Sequence, residues 1–385
     1  MDFSHILTDP YTLTLTIVMA VSLVVLCVYY GIFHYRVGHY KGPKKAKNNN
    51  SAQQNYPPVS VVLTSQNDAE WLRTNLVYLL EQDYPDFEVV VVDYMSKDET
   101  QFVLKILSEN YKHLKVVPLG ENANGYRGKK YPMSMGIKSA KNDILVFADP
   151  NCRPIDLTNF CWLKEMVAGY VNDKTEAVLG YCGIQPKKNP FSWLQQYDNL
   201  TYSVQYLGAA IMRRPFTGNG RNLSYRRSMF MRNRGFIYHY NIPDGADDMF
   251  VYQNCNGKNT QVVLSENSFT VVEPMKTVAQ WRSYRKHRSV THKYYSLWTK
   301  LSLLVAPCNV VLFYLAGALL LVSGTMPWPV LAAALLLKLA WQIVATAQAA
   351  KRLMVRPAVY WLSPLLEIYF LVANTILTLS PLPKK

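Results

Sequence analysis

Between Tyr11 and Phe33 the chain carries no charged side chain, and this run limits its architecture more than any other feature. About 20 apolar residues in helical form cross the hydrocarbon core of a bilayer. The run is too long for a cleaved leader and no Lys or Arg precedes it, so it predicts a permanent anchor. Asp2 and Asp9 stand before it, and Arg36, Lys41, Lys44, Lys45 and Lys47 follow. The positive-inside rule then predicts an outer N-terminus at 1–10, a transmembrane helix over 11–34, and a basic linker over 35–56 on the cytoplasmic side.

A second apolar block starts near Leu301, and Gly324-Thr-Met-Pro-Trp-Pro329 interrupts it. Such a break reads as a hairpin turn with an interfacial tryptophan. It divides the block into spans over 300–324 and 328–350. Lys351, Arg352 and Arg356 form a short basic loop before a last span over 357–380. Counting crossings puts this loop and the region between the anchor and Leu301 on the same side, which makes a multi-pass protein of the cytoplasmic (inner) membrane. Lys338 and Glu367 lie about ten residues inside their spans, near mid-bilayer depth at ~1.5 Å per residue, where isolated charges are costly. The pattern predicts that they pair, the alternative being a snorkelling lysine and a neutral partner for the glutamate.

The rest is a soluble region with an α/β pattern. Val59 to Thr64, Phe87 to Asp93, Lys115 to Pro118 and Ile144 to Asp149 read as strands. Helices are expected over 70–81, 99–110 and 132–140. This alternation implies a parallel sheet covered by helices on both faces, with ligands at the carboxyl ends of the strands. Asp93 and Asp149 both end apolar strands, as helix caps or as a site for a nucleotide and a divalent metal. The first turn lacks G-x-G-x-x-G, which disfavours a dinucleotide fold. The net charge of +15 is assigned to an anionic membrane surface and to phosphate binding, since no zinc-finger or RNA-binding signature accompanies it and nucleic acid is not expected as a partner. Six cysteines without a C-x-x-C pair read as free thiols.

Several segments in order carry a more specific signal. They are Val59 to Asp68, Glu81-Gln-Asp-Tyr-Pro85, Val91 to Thr100, Gly128-Lys129-Lys130, Phe147-Ala-Asp149-Pro-Asn151, Gly218 to Arg227 and Gly245-Ala-Asp247-Asp248. Together they resemble the membrane-bound, inverting family-2 glycosyltransferases of bacterial type, over about residues 57–295. The resemblance implies a GT-A catalytic domain over 57–275, a nucleotide-sugar donor (commonly UDP-linked) and Mg²⁺ or Mn²⁺. It places Asn67, Asp93, Asp98, Lys129 and Asp149 on the donor. Asp93 would hold the nucleobase, Lys129 the uridine and diphosphate, and Asp149 with Asn151 the metal. Arg221 falls in the acceptor-side segment. Asp247 is the expected general base, with Asp248 and Asp244 as alternatives because Ala246 fills one place of the acidic motif.

Residues 276–298 predict an amphipathic interfacial helix, with Trp281, Tyr284, Arg285 and Arg288 recurring at helical spacing. The segment partly resembles the family's Q-x-x-R-W, which makes Trp281, Arg285, His287 and Arg288 candidates for diphosphate and acceptor contacts. Asn151 in place of an acid, Tyr94 after Asp93 and the incomplete Q-x-x-R-W depart from the family pattern. The incomplete Q-x-x-R-W favours transfer of one or a few sugars, and the lead of the 276–298 segment into the apolar block favours a lipid-linked or membrane-proximal glycan acceptor, in contact with membrane lipids. A processive polysaccharide synthase is the alternative within the enzyme class. An inactive sugar-nucleotide-binding scaffold and a transporter are the rivals outside it.

Overall fold

A computed structural model of the chain describes residues 9–43, 56–120, 128–242 and 244–379. Asp2, the linker residues Lys44, Lys45 and Lys47, and the end of the last expected span lie outside the described residues. The chain divides into two compact units, one holding Tyr40–Lys293 and the other the N-terminal helix with the helices after Tyr294.

In the first unit the β-branched runs form strands because their side chains pack well on a pleated surface. Strands β1 (Val59–Ser65), β2 (Phe87–Tyr94), β3 (Leu114–Leu119) and β4 (Ile144–Phe147) run parallel in the order β3-β2-β1-β4. Helices at 69–80, Thr100–Asn110 and Lys130–Ser139 connect them. Gly136 permits close helix–sheet contact, since a Cβ there would press Val62 at 2.8 Å and Val92 at 2.9 Å.

Beyond β4 the sheet continues with β6 (Ala177–Leu179), β8 (Leu223–Arg226) and β9 (Thr260–Val262) in the order β4-β8-β6-β9. Here β8 is antiparallel to both neighbours. A smaller sheet holds β5 (Cys152–Pro154), β7 (Cys182–Ile184) and β10 (Thr270–Val272). Asn222, fully buried just before β8, connects several of these segments. Its amide nitrogen donates to the carbonyls of Tyr181 and Ser268, both at 2.7 Å, and its oxygen accepts from the Trp162 indole at 3.1 Å. Both of its donors and its amide oxygen are thus partnered, as a buried amide requires.

In the second unit three helices are long and apolar enough to cross a membrane: Pro10–Gly38, Leu297–Ser323 and Trp328–Arg352. The first contains a π-helical stretch, Tyr30–Tyr35. Gly38 allows its end to touch Gln348, where a Cβ would lie 2.6 Å from the backbone, the kind of close approach small residues allow between helices. The fourth expected span is not continuous. It is Pro357–Trp361 followed by Ser363–Leu379, because Pro364 has no N–H to bond back to the preceding turn and its ring crowds that turn, so the helix ends at Leu362 and restarts with Pro364 in its first turn.

Lys338 and Glu367 form an ion pair. Lys338 also donates to the Gln342 amide oxygen at 2.7 Å and to the Tyr314 hydroxyl at 3.2 Å, while the Tyr30 hydroxyl donates to Glu367. Breaking a buried pair from one side strands a charge and costs roughly 3–5 kcal/mol, whereas replacing both partners with apolar groups is often neutral. Lys338→Met should therefore lower the thermal unfolding midpoint in detergent, and adding Glu367→Leu should restore most of the loss. A double variant no more stable than the single would show that the pairing is not what holds these helices together.

Candidate active site

The topology brings the chemistry to one edge. Thr64 and Ser65 end β1, Asp93 ends β2 beside Ser65, and Asp149 follows β4 by two residues. Because β8 is antiparallel to β4, with Phe147 opposite Leu223, the segment entering β8 begins where β4 ends. This places Gly218 to Arg221 beside Asp149. The result is a cavity of about 870 Å³ lined by both segments, by Lys129 and Lys130, by residues 244–248, and by Tyr202, Tyr284, His287 and Arg288.

Asp149 is held between two cations. One carboxylate oxygen accepts from Lys129, the other from Arg221 Nε at 3.1 Å. Burial pushes its carboxyl up, but Lys129 and then Arg221 outweigh this and hold it at about 2. Lys129 is half exposed at the cavity mouth; partial desolvation there pulls it down, and Asp149 and Asp247 more than restore it, so its pKa lies above the usual lysine value. The Arg221 guanidinium also lies over the Tyr284 ring, 5.2 Å from its centroid. The cluster is ionised throughout the neutral range.

The acidic loop offers three carboxylates, and their surroundings differ. Asp244 is bound to His287 Nδ1 at 2.9 Å. Asp248 opens the Asp248–Asn254 helix, accepting from the Met249 N–H at 2.9 Å and from the Thr291 hydroxyl at 2.6 Å. Asp247 is partly buried and lines the cavity, and among the described residues no hydrogen bond to its carboxylate is seen. Burial raises its pKa to about 6, Lys129 opposes this, and Asp149 and Asp248 reinforce it. The Asp247 carboxylate lies directly against the backbone of Gly220, where a Cβ would overlap it. Gly245, with φ +93°, makes the turn ahead of it in a conformation that favours glycine.

On the donor side, Asp93 is buried and its Oδ1 has no hydrogen-bond partner among the described residues. Asp98 accepts from the Thr100 N–H at 3.0 Å and the Ala69 N–H at 3.2 Å, so it joins two helix starts. Asn67, at φ 58°, accepts from the Lys97 N–H at 2.7 Å and its own N–H donates to Ser96 Oγ at 2.9 Å. Asn67 and Asp98 thus shape the loops beside the cavity without lining it. Asp68, quoted in the sequence motif but given no role there, does line it, with its pKa raised by burial.

The Val278–Ser289 helix supplies one wall through Tyr284, His287 and Arg288. Trp281 and Arg285, expected beside the diphosphate, stand behind that wall instead. Trp281 packs edge-on against Phe191, and Arg285 pairs with the buried Asp198 at 3.2 Å. Asp198 also binds Arg288 Nη2 at 2.9 Å, which leaves Arg288 Nη1 buried without a hydrogen-bond partner. Tyr202, on which no sequence signal fell, stacks under Arg288 with the guanidinium 4.3 Å from its centroid.

Among the described residues no group of three or more His, Cys, Asp or Glu could cage a metal. At the end of β4 the chain offers a hard cation the cavity-facing Asp149 carboxylate and the Asn151 amide oxygen, which is buried two residues on and has no hydrogen-bond partner among the described residues. That set fits an ion arriving with phosphate oxygens rather than one held by protein alone.

Comparison with known proteins bears on the fold and the family. The mannosyltransferase PcManGT from Pyrobaculum calidifontis, solved with GDP-Man and Mn²⁺, aligns with a TM-score of 0.58 at 19% identity, over 93% of this chain and 98% of that one. The poly(ribitol-phosphate) beta-N-acetylglucosaminyltransferase TarS of Staphylococcus aureus (strain Mu50 / ATCC 700699) is 34% identical over 123 residues. That match takes in 31% of this chain and only 20% of the relative. The description "Glycosyl transferase family 2" matches residues 60–253, a span that includes β1, Asp149, Arg221 and the acidic loop. The chain folds as a GT-A enzyme and belongs to glycosyl transferase family 2.

Proposed function

We propose that this cavity transfers a sugar, with inversion, from a UDP-linked donor to a hydroxyl of a lipid-linked or membrane-proximal acceptor. One observation carries the reading: Asp247 is a partly buried carboxylate that accepts no hydrogen bond among the described residues, and it faces the same cavity as the Lys129–Asp149–Arg221 cluster. A base needs a free carboxylate near the working pH, and a leaving diphosphate needs fixed cations. Asp244 and Asp248 are already engaged, which favours Asp247 among the three.

In this reading Asp247 accepts the proton of the acceptor hydroxyl while that oxygen attacks the anomeric carbon. The bond to the diphosphate breaks on the opposite side. Lys129, Arg221 and the unused Nη1 of Arg288 neutralise the departing charge. The unpaired Asp93 oxygen would accept an N–H of the nucleobase. A Mg²⁺ or Mn²⁺ ion bound with the donor at Asp149 and Asn151 would supply further Lewis-acid neutralisation. A UDP-linked N-acetylhexosamine is the first donor to test, given the activity named for the TarS relative.

The membrane assignment rests on the three long apolar helices and on chain continuity. In chain order the helix that lines the cavity is followed by a short 3-10 segment, Val290–Tyr294, and then by the apolar Leu297–Ser323 helix. That continuity favours an acceptor carried at the membrane and an enzyme of the cytoplasmic membrane.

Asp247→Asn should reduce turnover by about 10²–10⁴-fold, the usual contribution of a positioned base. The wild-type rate should fall as pH drops through about 6, because the base then becomes protonated. The same shift predicts a stability effect. A carboxyl raised in the folded state from 3.8 to about 6 destabilises the fold when ionised, so Asp247→Asn should raise the unfolding midpoint at pH 7.5 and give no gain near pH 4. An active asparagine variant would remove Asp247 from the chemistry.

Gly220→Ala should displace the Asp247 carboxylate, which a Cβ there would overlap. Displacement by about 1 Å can cost ~10²-fold in rate, so turnover should drop by that order while the fold and donor binding persist. Wild-type turnover in Gly220→Ala would mean that the position of Asp247 is not critical.

A further inference from the structure

The Gly128-Lys129-Lys130 segment contributes two lysines to the cavity, and the reading above uses only the first. Lys130 begins the Lys130–Ser139 helix, and its side chain is 4% exposed. Its ammonium donates to the carbonyl of His239 and, at 2.7 Å, to the carbonyl of Ile242. The first carbonyl ends the Ile237–His239 turn and the second lies three residues on, in the stretch that leads to the Asp244–Asp248 loop. The same stretch is also bonded internally, Ile242 N–H to His239 O at 3.1 Å. His239 Nδ1 meets the Gln253 amide oxygen at 2.9 Å, which ties the stretch to the helix that Asp248 opens.

A buried ammonium carries three donors and requires acceptors, and here both acceptors come from the approach to the base loop. Charge-assisted hydrogen bonds of this kind are about twice as strong as neutral ones. The adjacent Lys129 grips Asp149 at the donor side. Two consecutive residues thus tie the donor-phosphate side and the acidic loop to one helix start.

We propose that Lys130 is a positioning residue for the general base: by holding the carbonyls of His239 and Ile242 it sets where Asp247 stands relative to Asp149. The proposal rests on the reading of Asp247 as base. The charged groups facing Lys130 are Asp248 and Asp244, and His239 is kept neutral by burial, with its pKa lowered to about 4. Burial pulls Lys130 down to about 8, against the opposing effect of Asp248 and then Asp244. Its charge, and with it the charge-assisted hold on the loop, is therefore complete below that pH and fades as pH rises through it.

The test uses the full chain purified in detergent, with UDP-N-acetylglucosamine and UDP-glucose as probes and UDP release as the readout. Three variants are compared: Lys130→Met, Lys130→Arg and Asp247→Asn. Lys130→Met should lower kcat by about 10–100-fold, as expected for a misplaced base, with the donor KM changed less than about twofold. Hydrogen exchange should rise in residues 239–248 and not in the parallel strands. Wild-type kcat should decline as pH rises through about 8, and Lys130→Arg, which cannot lose its charge, should regain rate at neutral pH and lack that decline.

Wild-type kcat in Lys130→Met, with Asp247→Asn inactive, overturns the positioning role alone. An unchanged alkaline decline in Lys130→Arg does the same, and it decides the matter if the methionine variant fails to fold. Full activity in Asp247→Asn overturns the base reading and this inference with it.

Discussion

The ion cluster around Asp149 is the interaction on which the rest of the site depends. It exists because an antiparallel strand, β8, is set beside the last parallel one, β4. The chain entering β8 must then start where β4 ends, so Arg221 arrives at Asp149 from the side opposite Lys129. Asn222, the next residue, is locked by three hydrogen bonds and fixes that arrival. One oxygen of Asp149 is given to each cation, and the cluster stays charged in the neutral range. Its field reaches Asp247 across the cavity. Lys129 favours ionisation of that carboxyl, Asp149 and Asp248 disfavour it, and burial decides the balance upward.

Two aspartates with opposite shifts therefore share one cavity, one near 2 and the other near 6. Such a separation lets one group remain a fixed charge while the other exchanges protons at neutral pH. The neighbouring acids have been taken out of contention by ordinary structural bonds. Asp248 serves as a helix start held by Thr291, and Asp244 is occupied by His287. Gly220 completes the arrangement by leaving space for the Asp247 carboxylate against the backbone.

Much of this was legible in the residues. The parallel strands were marked by β-branched runs, and Asp93 and Asp149 by their place at the strand ends. Other features depend on side-chain direction, which spacing alone does not reveal. Trp281 and Arg285 share a helical stripe with Arg288, yet they point to Phe191 and Asp198 behind the cavity wall. Asp98 and Asn67 sit in family-like motifs but serve the loop backbone. Lys130 reads as one more basic residue until its long-range partners at His239 and Ile242 are seen. The break at Leu362 follows from Pro364, which the hydropathy of the last apolar stretch conceals. Lys338 and Glu367 were the easiest long-range pair to anticipate, because two lone charges among apolar residues have few other partners.

The account stands on a single displacement assisted by one base, and the anomeric configuration of the product tests it most directly. Products made by the purified chain from an α-linked UDP-sugar can be followed by proton NMR, reading the anomeric coupling at early times. A β-linked product, formed without an α-linked precursor, is the predicted result. An α-linked first product would contradict the account, since retention requires a different arrangement of groups from the one built around Asp247.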